Sequence, residues 1–163
     1  MTDIDTEAIE AERARLQAKY LTGDRPETSA RGIHHAALIC SSVEQTIEFY
    51  QGLLEFPLTE IFGNRDYKGS SHFFFDVGNG NLLAFFDFPG LDLGPYRETL
   101  GNVNHIAISV TKDKWEYLRG KLDGAGVPYQ VVSGASLYFR DPDGVRLELL
   151  ADPLGEMYGT KVV

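Results

Sequence analysis

Residues 104–150 read NHIAISVTKDKWEYLRGKLDGAGVPYQVVSGASLYFRDPDGVRLELL, and the order of periodicities in this stretch decides the fold. NHIAISVTK alternates apolar and polar residues, the period-two signature of a strand. In DKWEYLRGKLDGAG, Trp115, Leu118 and Leu122 mark one helix face, and Asp113 with Glu116 has the spacing to cap its start. GVPYQVV opens another strand, and ASLYFRDPDGVRLELL reads as two strands joined by an Asp-Pro-Asp-Gly turn. The order is strand, helix, then three strands.

Outward from there, the preceding residues say the same thing. IHHAALICSS (33–42) is a strand, SVEQTIEFYQGLL (42–54) a helix with a Ser42/Gln45 capping box, EFPLTE a strand opening, and SHFFFDVGNGNLLAFFDF (71–88) two strands around a glycine turn. Alignment of the copies sets His35 over His105, Phe56-Pro57 over Val127-Pro128, and Ala84 over Glu148. A duplicated scaffold offers four inward positions, two on opening and two on closing strands. Three hold metal-binding residue types, His35, His105 and Glu148, and the fourth is Ala84.

A lone histidine beside apolar residues is ordinarily a satisfied core or surface side chain. Glu148 changes the balance, because it lies in the apolar run VRLELLA, where a buried carboxylate requires a cation or several donors. Two imidazoles and one carboxylate leave an octahedral ion with open positions. That donor set suits Fe(II) first and Mn(II) next, over a closed structural zinc. Strand alternation turns His34 to the opposite face from His35 and excludes it from the ligand set.

The chain has 163 residues, 43% of them hydrophobic, and a net charge of −9. One core or two small packed modules are affordable at this size. The negative charge argues against nucleic acid and anionic membrane as partners and favours a small-molecule substrate. Cys40 is the one cysteine, so no intrachain disulfide forms, and its place at the end of an apolar strand reads as a buried thiol. The first residues are acidic, with no long apolar stretch, and a cytoplasmic protein is expected. Helical spacing of Ile9, Leu16 and Tyr20 predicts an amphipathic helix over about 6–21, stopped by Gly23 and Pro26. The expected division is a helix and linker over 1–31, then one domain over 32–163. Within it, module one covers about 32–90, module two about 101–152, and a tail 153–163.

The opening histidine before a small-apolar strand, the IEFYQGLLEF helix exit, HIAISV and FRDPDGVRLELL together resemble the vicinal oxygen chelate superfamily over about residues 32–152. The resemblance implies an α+β fold of two βαβββ modules, their mixed sheets curved around a metal cleft. In some members the modules are exchanged between subunits, so a homodimer is expected. Glyoxalase I and methylmalonyl-CoA epimerase use Glu or Gln where this chain has Ala84. Bleomycin-resistance proteins lack the three ligands. Fosfomycin-resistance enzymes continue past the glutamate with a basic segment, whereas LLADPLGEMYG has no Arg or Lys. Extradiol dioxygenases share the His, His, Glu set, although they often carry a further histidine near the positions of Asn81 and Ala84.

The resemblance therefore implies a metal-dependent extradiol-type dioxygenase acting on a catechol-like or other vicinally oxygenated substrate. The alternatives are a transferase, isomerase or lyase of the glyoxalase or fosfomycin-resistance type, and a non-catalytic binder of ligand or drug. Tyr138 resembles the tyrosine that members hold near the metal to orient an oxyanion. His72 is a candidate acid or base. Ala37 and Ala107 leave room beside the histidines, and Ala84 and Phe86 share a face with Phe88 as pocket lining. The residues Asp141 to Gly144 read as a turn that delivers Glu148.

Overall fold

The computed structural model describes residues 4–21, 23 and 27–163. The chain divides into two compact units, 1–33 and 34–163. In the first, helix α1 spans Thr6–Tyr20, and Asp5 caps it by accepting a bond of 3.0 Å from the Ala8 N–H. Ile9, Leu16 and Tyr20 are all exposed. Of the residues expected to stop the helix, Pro26 lies outside the described residues.

The second unit bears out the duplicated order. Module one runs β1 (His35–Ile39), α2 (Val43–Ile47), a π-helical turn (Glu48–Leu53), β2 (Leu58–Gly63), β3 (Ser71–Asp76) and β4 (Leu82–Phe86). Module two runs β5 (Ile106–Ser109), α3 (Lys112–Ala125), β6 (Tyr129–Val132), β7 (Ser136–Arg140) and β8 (Arg146–Leu150). Each module makes its own four-stranded mixed sheet, ordered β1-β4-β3-β2 and β5-β8-β7-β6, with the opening and closing strands parallel. Ala37 pairs with Ala84 and Ala107 with Glu148, so the sequence alignment of the two copies holds at the level of register. The tail adds a short hairpin, β9 (Glu156–Met157) and β10 (Thr160–Lys161), that no periodicity announces.

Helix starts follow side-chain chemistry. Ser42 accepts from the Gln45 N–H as expected. At α3 the cap is Thr111, whose hydroxyl accepts from the Lys114 N–H at 3.3 Å, and not Asp113. Thr111 is extended and presents its oxygen to the first free N–H groups, whereas Asp113 already lies inside the helix.

Burial divides each strand into two faces. Phe73, Phe75, Leu83 and Phe85 of module one, with Leu137, Leu147 and Leu149 of module two, are at most 2% exposed and join one core with Tyr50, Trp115, Leu118 and Leu122. Tyr50 stacks on Phe75, and Phe49 meets Phe139 across the modules. Both inner faces therefore enter the same core, and both outer faces turn away from it. Among the described residues no helix is long and apolar enough to cross a membrane.

The Asp-Pro-Asp-Gly turn is structural, as its sequence implies, and it also ties the modules together. Asp141 accepts from the Asp143 and Val145 N–H groups and from the Tyr50 hydroxyl at 3.0 Å, while Asp143 accepts from the Ser41 N–H. Burial pushes the Asp141 carboxyl up, against these donors. Tyr50→Phe removes one donor from a buried carboxylate and is expected to cost about 1–3 kcal/mol in urea unfolding. An unchanged midpoint would contradict that. Gly144 holds φ at +90°, so Gly144→Ala is expected to lower the melting temperature, with a cost of about 1 kcal/mol or more.

Glu55 is a second tie. Its carboxylate accepts from the Tyr117 hydroxyl and from Lys121 and Lys114 at 2.7–3.2 Å, and these donors hold its pKa down to about 2. A depressed carboxylate contributes stability above its ordinary range that is lost as pH falls through the folded value. The melting difference between wild type and Glu55→Gln is therefore expected to shrink between about pH 4.5 and about pH 2. A constant difference across that interval would sink this assignment.

Candidate metal centre

Glu148 is central on β8, between β5 and β7, and only 3% exposed. His105 immediately precedes β5, and its Nε2 lies 3.1 Å from Glu148 Oε2. The other ring nitrogen, Nδ1, is 2.7 Å from Asn104 Oδ1. An amide oxygen only accepts, so Nδ1 carries a proton, and Nε2 faces the carboxylate, where it donates when protonated or offers its lone pair beside a shared cation. Two acceptors at that distance repel unless a proton or a cation lies between them. Two neighbouring ligands of an octahedral ion, each about 2.1 Å from it, stand about 3.0 Å apart. The donor types, tautomer and spacing of this pair fit a divalent metal.

Tyr138 completes the group. It sits opposite Glu148 in the β7–β8 register, with its ring edge-on to His105 at 5.5 Å between centroids. Burial first, and Glu148 next, push its hydroxyl pKa up, so the phenol stays protonated and able to donate at neutral pH.

Ala107 pairs with Glu148 in the same sheet, and the structure places the remaining expected site residues on the other sheet. His35 opens β1 on an exposed face with Ala37 and Ile39. Its Nδ1 lies 2.9 Å from His34 Nδ1, and one of the two donates. His34 precedes the strand, so the alternation expected to turn it away does not apply, and it touches His35 directly. The residue before each candidate histidine thus contacts its Nδ1 in both modules, His34 in one and Asn104 in the other. The sequence signal was the repeated position itself.

Among the described residues no three His, Cys, Asp or Glu side chains form a metal-holding group within the chain. His105 and Glu148 come together, while His35 does not join them, because the two outer faces point away from a shared core.

The outer face of module one is aromatic. His72 stacks on Phe86 at 3.8 Å and meets Phe74 at 4.3 Å and Phe62 at 5.3 Å, and Phe86 stacks on Phe88. Burial, with a smaller contribution from His35, pushes the His72 pKa down, and its Nε2 is buried without a partner. Of the other pocket residues, Ala37 and Ala107 are exposed and Phe86 is half-buried, whereas Ala84 is fully buried beneath its neighbours. Cys40 is buried and its thiol is pushed up to about 11 by burial, so it is no nucleophile.

Paired modules of this topology, with a His–Glu donor pair on an open strand face, define a class of small-molecule metal proteins. Residues 32–149 match the Glyoxalase/Bleomycin resistance protein/Dioxygenase superfamily, and the chain belongs to it. It is 27% identical over 139 residues to the "Putative ring-cleaving dioxygenase MhqA" of Bacillus subtilis, covering 80% of this chain and 43% of that protein. It therefore spans about two fifths of that relative's length. It is 30% identical to the metallothiol transferase FosB of Shouchella clausii, covering 77% of this chain and 83% of that protein. The fold is also that of a variant of the fosfomycin resistance protein FosX of Listeria monocytogenes, complexed with Mn(II) and 1S,2S-dihydroxypropylphosphonic acid. That likeness has a TM-score of 0.58 and 24% identity and covers 77% of this chain and 95% of the other. Relatives named for ring cleavage and for thiol transfer support a metal-dependent enzyme.

Proposed function

We propose that the protein is a ring-cleaving dioxygenase of the extradiol type, acting in the cytoplasm on a catechol-like substrate as a homodimer that holds Fe(II), or Mn(II) as the next choice. The observation that carries this reading is the pairing of half-exposed His105 with buried Glu148 at metal-ligand spacing, combined with an outer aromatic face around His35 on the other module. A second copy that seats its module one over module two of the first would supply His35 as the third donor. It would also cover Ile39 and Phe62, which are 52% and 49% exposed in one chain.

When bound, a divalent metal supplies Lewis acidity and open positions for a bidentate oxygen ligand. The chain's own residues do the rest. Protonated Tyr138 donates a hydrogen bond where negative charge develops on a substrate oxygen. Neutral His72, with an unpartnered Nε2, can take and return a proton at the substrate. Phe62, Phe74 and Phe86 stack against a ring and exclude water.

A panel of catechols and hydroquinones, given to protein loaded anaerobically with Fe(II), is expected to drive oxygen uptake for at least one member. No uptake with any member would contradict the reading. The relative FosB favours a second reading, thiol transfer to an epoxide, and thiol-dependent turnover without oxygen uptake would select it.

A further inference from the structure

Arg146 lies two residues before Glu148 on β8, so alternation puts both side chains on one face, about 7 Å apart along the strand. Its guanidinium packs over the Tyr138 ring at 4.2 Å from the centroid, on the same tyrosine that His105 meets edge-on. The arginine across the ladder, Arg140, is already engaged by Glu98 and by the Gly144 carbonyl. Among the described residues Arg146 has no carboxylate or carbonyl partner within bonding distance, although the chain carries a net charge of −9. A half-buried guanidinium held flat by a ring, in a strongly acidic protein, is a planar fork without an anion.

We propose that Arg146 is a specificity residue that receives a carboxylate on the substrate, so that the preferred ligand is an anionic ring diol and not a neutral one. The inference rests on the proposed chelation of adjacent substrate oxygens at His105 and Glu148. The distance from Glu148 to Arg146 along the strand is comparable with the length of a benzene ring and its para substituent. A diol chelated at one end therefore delivers a carboxylate to the fork at the other. The protein's overall charge repels anions, and the local cation offsets that repulsion at this one point.

The test is calorimetric binding to Mn(II)-loaded protein under nitrogen, with 3,4-dihydroxybenzoate compared with its neutral isostere 3,4-dihydroxybenzamide. Wild type is expected to prefer the carboxylate by roughly tenfold or more, the scale of a charge-assisted bidentate pair. Arg146→Met keeps an apolar stem over Tyr138 and is expected to abolish the preference while leaving the amide's affinity unchanged. Arg146→Lys keeps the charge without the fork and is expected to retain a reduced preference; it decides the matter if the methionine variant does not fold. No preference in wild type, or an unchanged one in the folded variants, overturns the role of Arg146 and leaves chelation standing. Failure of both compounds to bind wild type overturns chelation and this inference together.

Discussion

Replacing Glu148 with glutamine is expected to lower divalent-metal affinity by about a hundredfold or more while raising the melting temperature of the metal-free protein. The two effects share one cause. In the free chain a buried carboxylate faces His105 Nε2 at 3.1 Å, held there by the bond from Nδ1–H to Asn104 Oδ1. Without a metal, that arrangement costs the fold the desolvation of a carboxylate whose partners are Tyr138 and His105 alone. A neutral amide removes the charge and can donate to the imidazole, so the apo protein gains about 1 kcal/mol or more, which is a few degrees for a domain of this size. The same change removes the anionic ligand. Metal titration and thermal melts of apo and loaded protein check both parts. A glutamine variant that binds metal as tightly as wild type would show that Glu148 is a buried hydrogen-bonding residue and not a ligand.

His35→Ala is the second large effect. It is expected to remove tightly bound metal as completely as His105→Ala, although among the described residues His35 belongs to no ligand group in its own chain. The cause is topological. Tyr50, Phe49, Asp141 and the Glu55 contacts hold the two modules against one core, and this leaves the outer faces of the sheets turned away from each other. On the proposed reading His35 reaches a metal at His105 and Glu148 from a second copy. Asn104 and His34 each engage the Nδ1 of the histidine that follows them. Metal content after dialysis measures the effect. His35→Ala protein that retains a full complement would place the third ligand elsewhere.

The duplication made most of this fold legible in the sequence. The phenylalanines show the mechanism well: Phe73, Phe75 and Phe85 are core, while Phe74 and Phe86 lie on the outer face, and alternation along β3 and β4 separates them. Glu148 was legible because a carboxylate in an apolar run has few ways to be satisfied. Other features left weaker marks. Alternation tells which face His35 occupies but not which face of which copy it meets, so the chain alone gave no reason to separate it from His105. The alternation used to set His34 aside does not reach it, because the strand begins one residue later, at His35, and His34 contacts that residue directly. The two-residue strands of the tail hairpin are too short to carry a period. Arg146 stood in plain view two positions before Glu148, yet its stacking on Tyr138 depends on a cross-strand register that only the folded sheet supplies.

The most direct measurement is the metal content of a mixed dimer. Two differently tagged chains, one His35→Ala and the other carrying both His105→Ala and Glu148→Gln, are co-expressed and purified through both tags. One intact centre, built from His35 of the doubly substituted chain with His105 and Glu148 of the other, predicts one tightly held metal ion per mixed dimer, against two in wild type and none in either parent. A mixed dimer that holds no metal while wild type is fully loaded would contradict a centre shared between two copies.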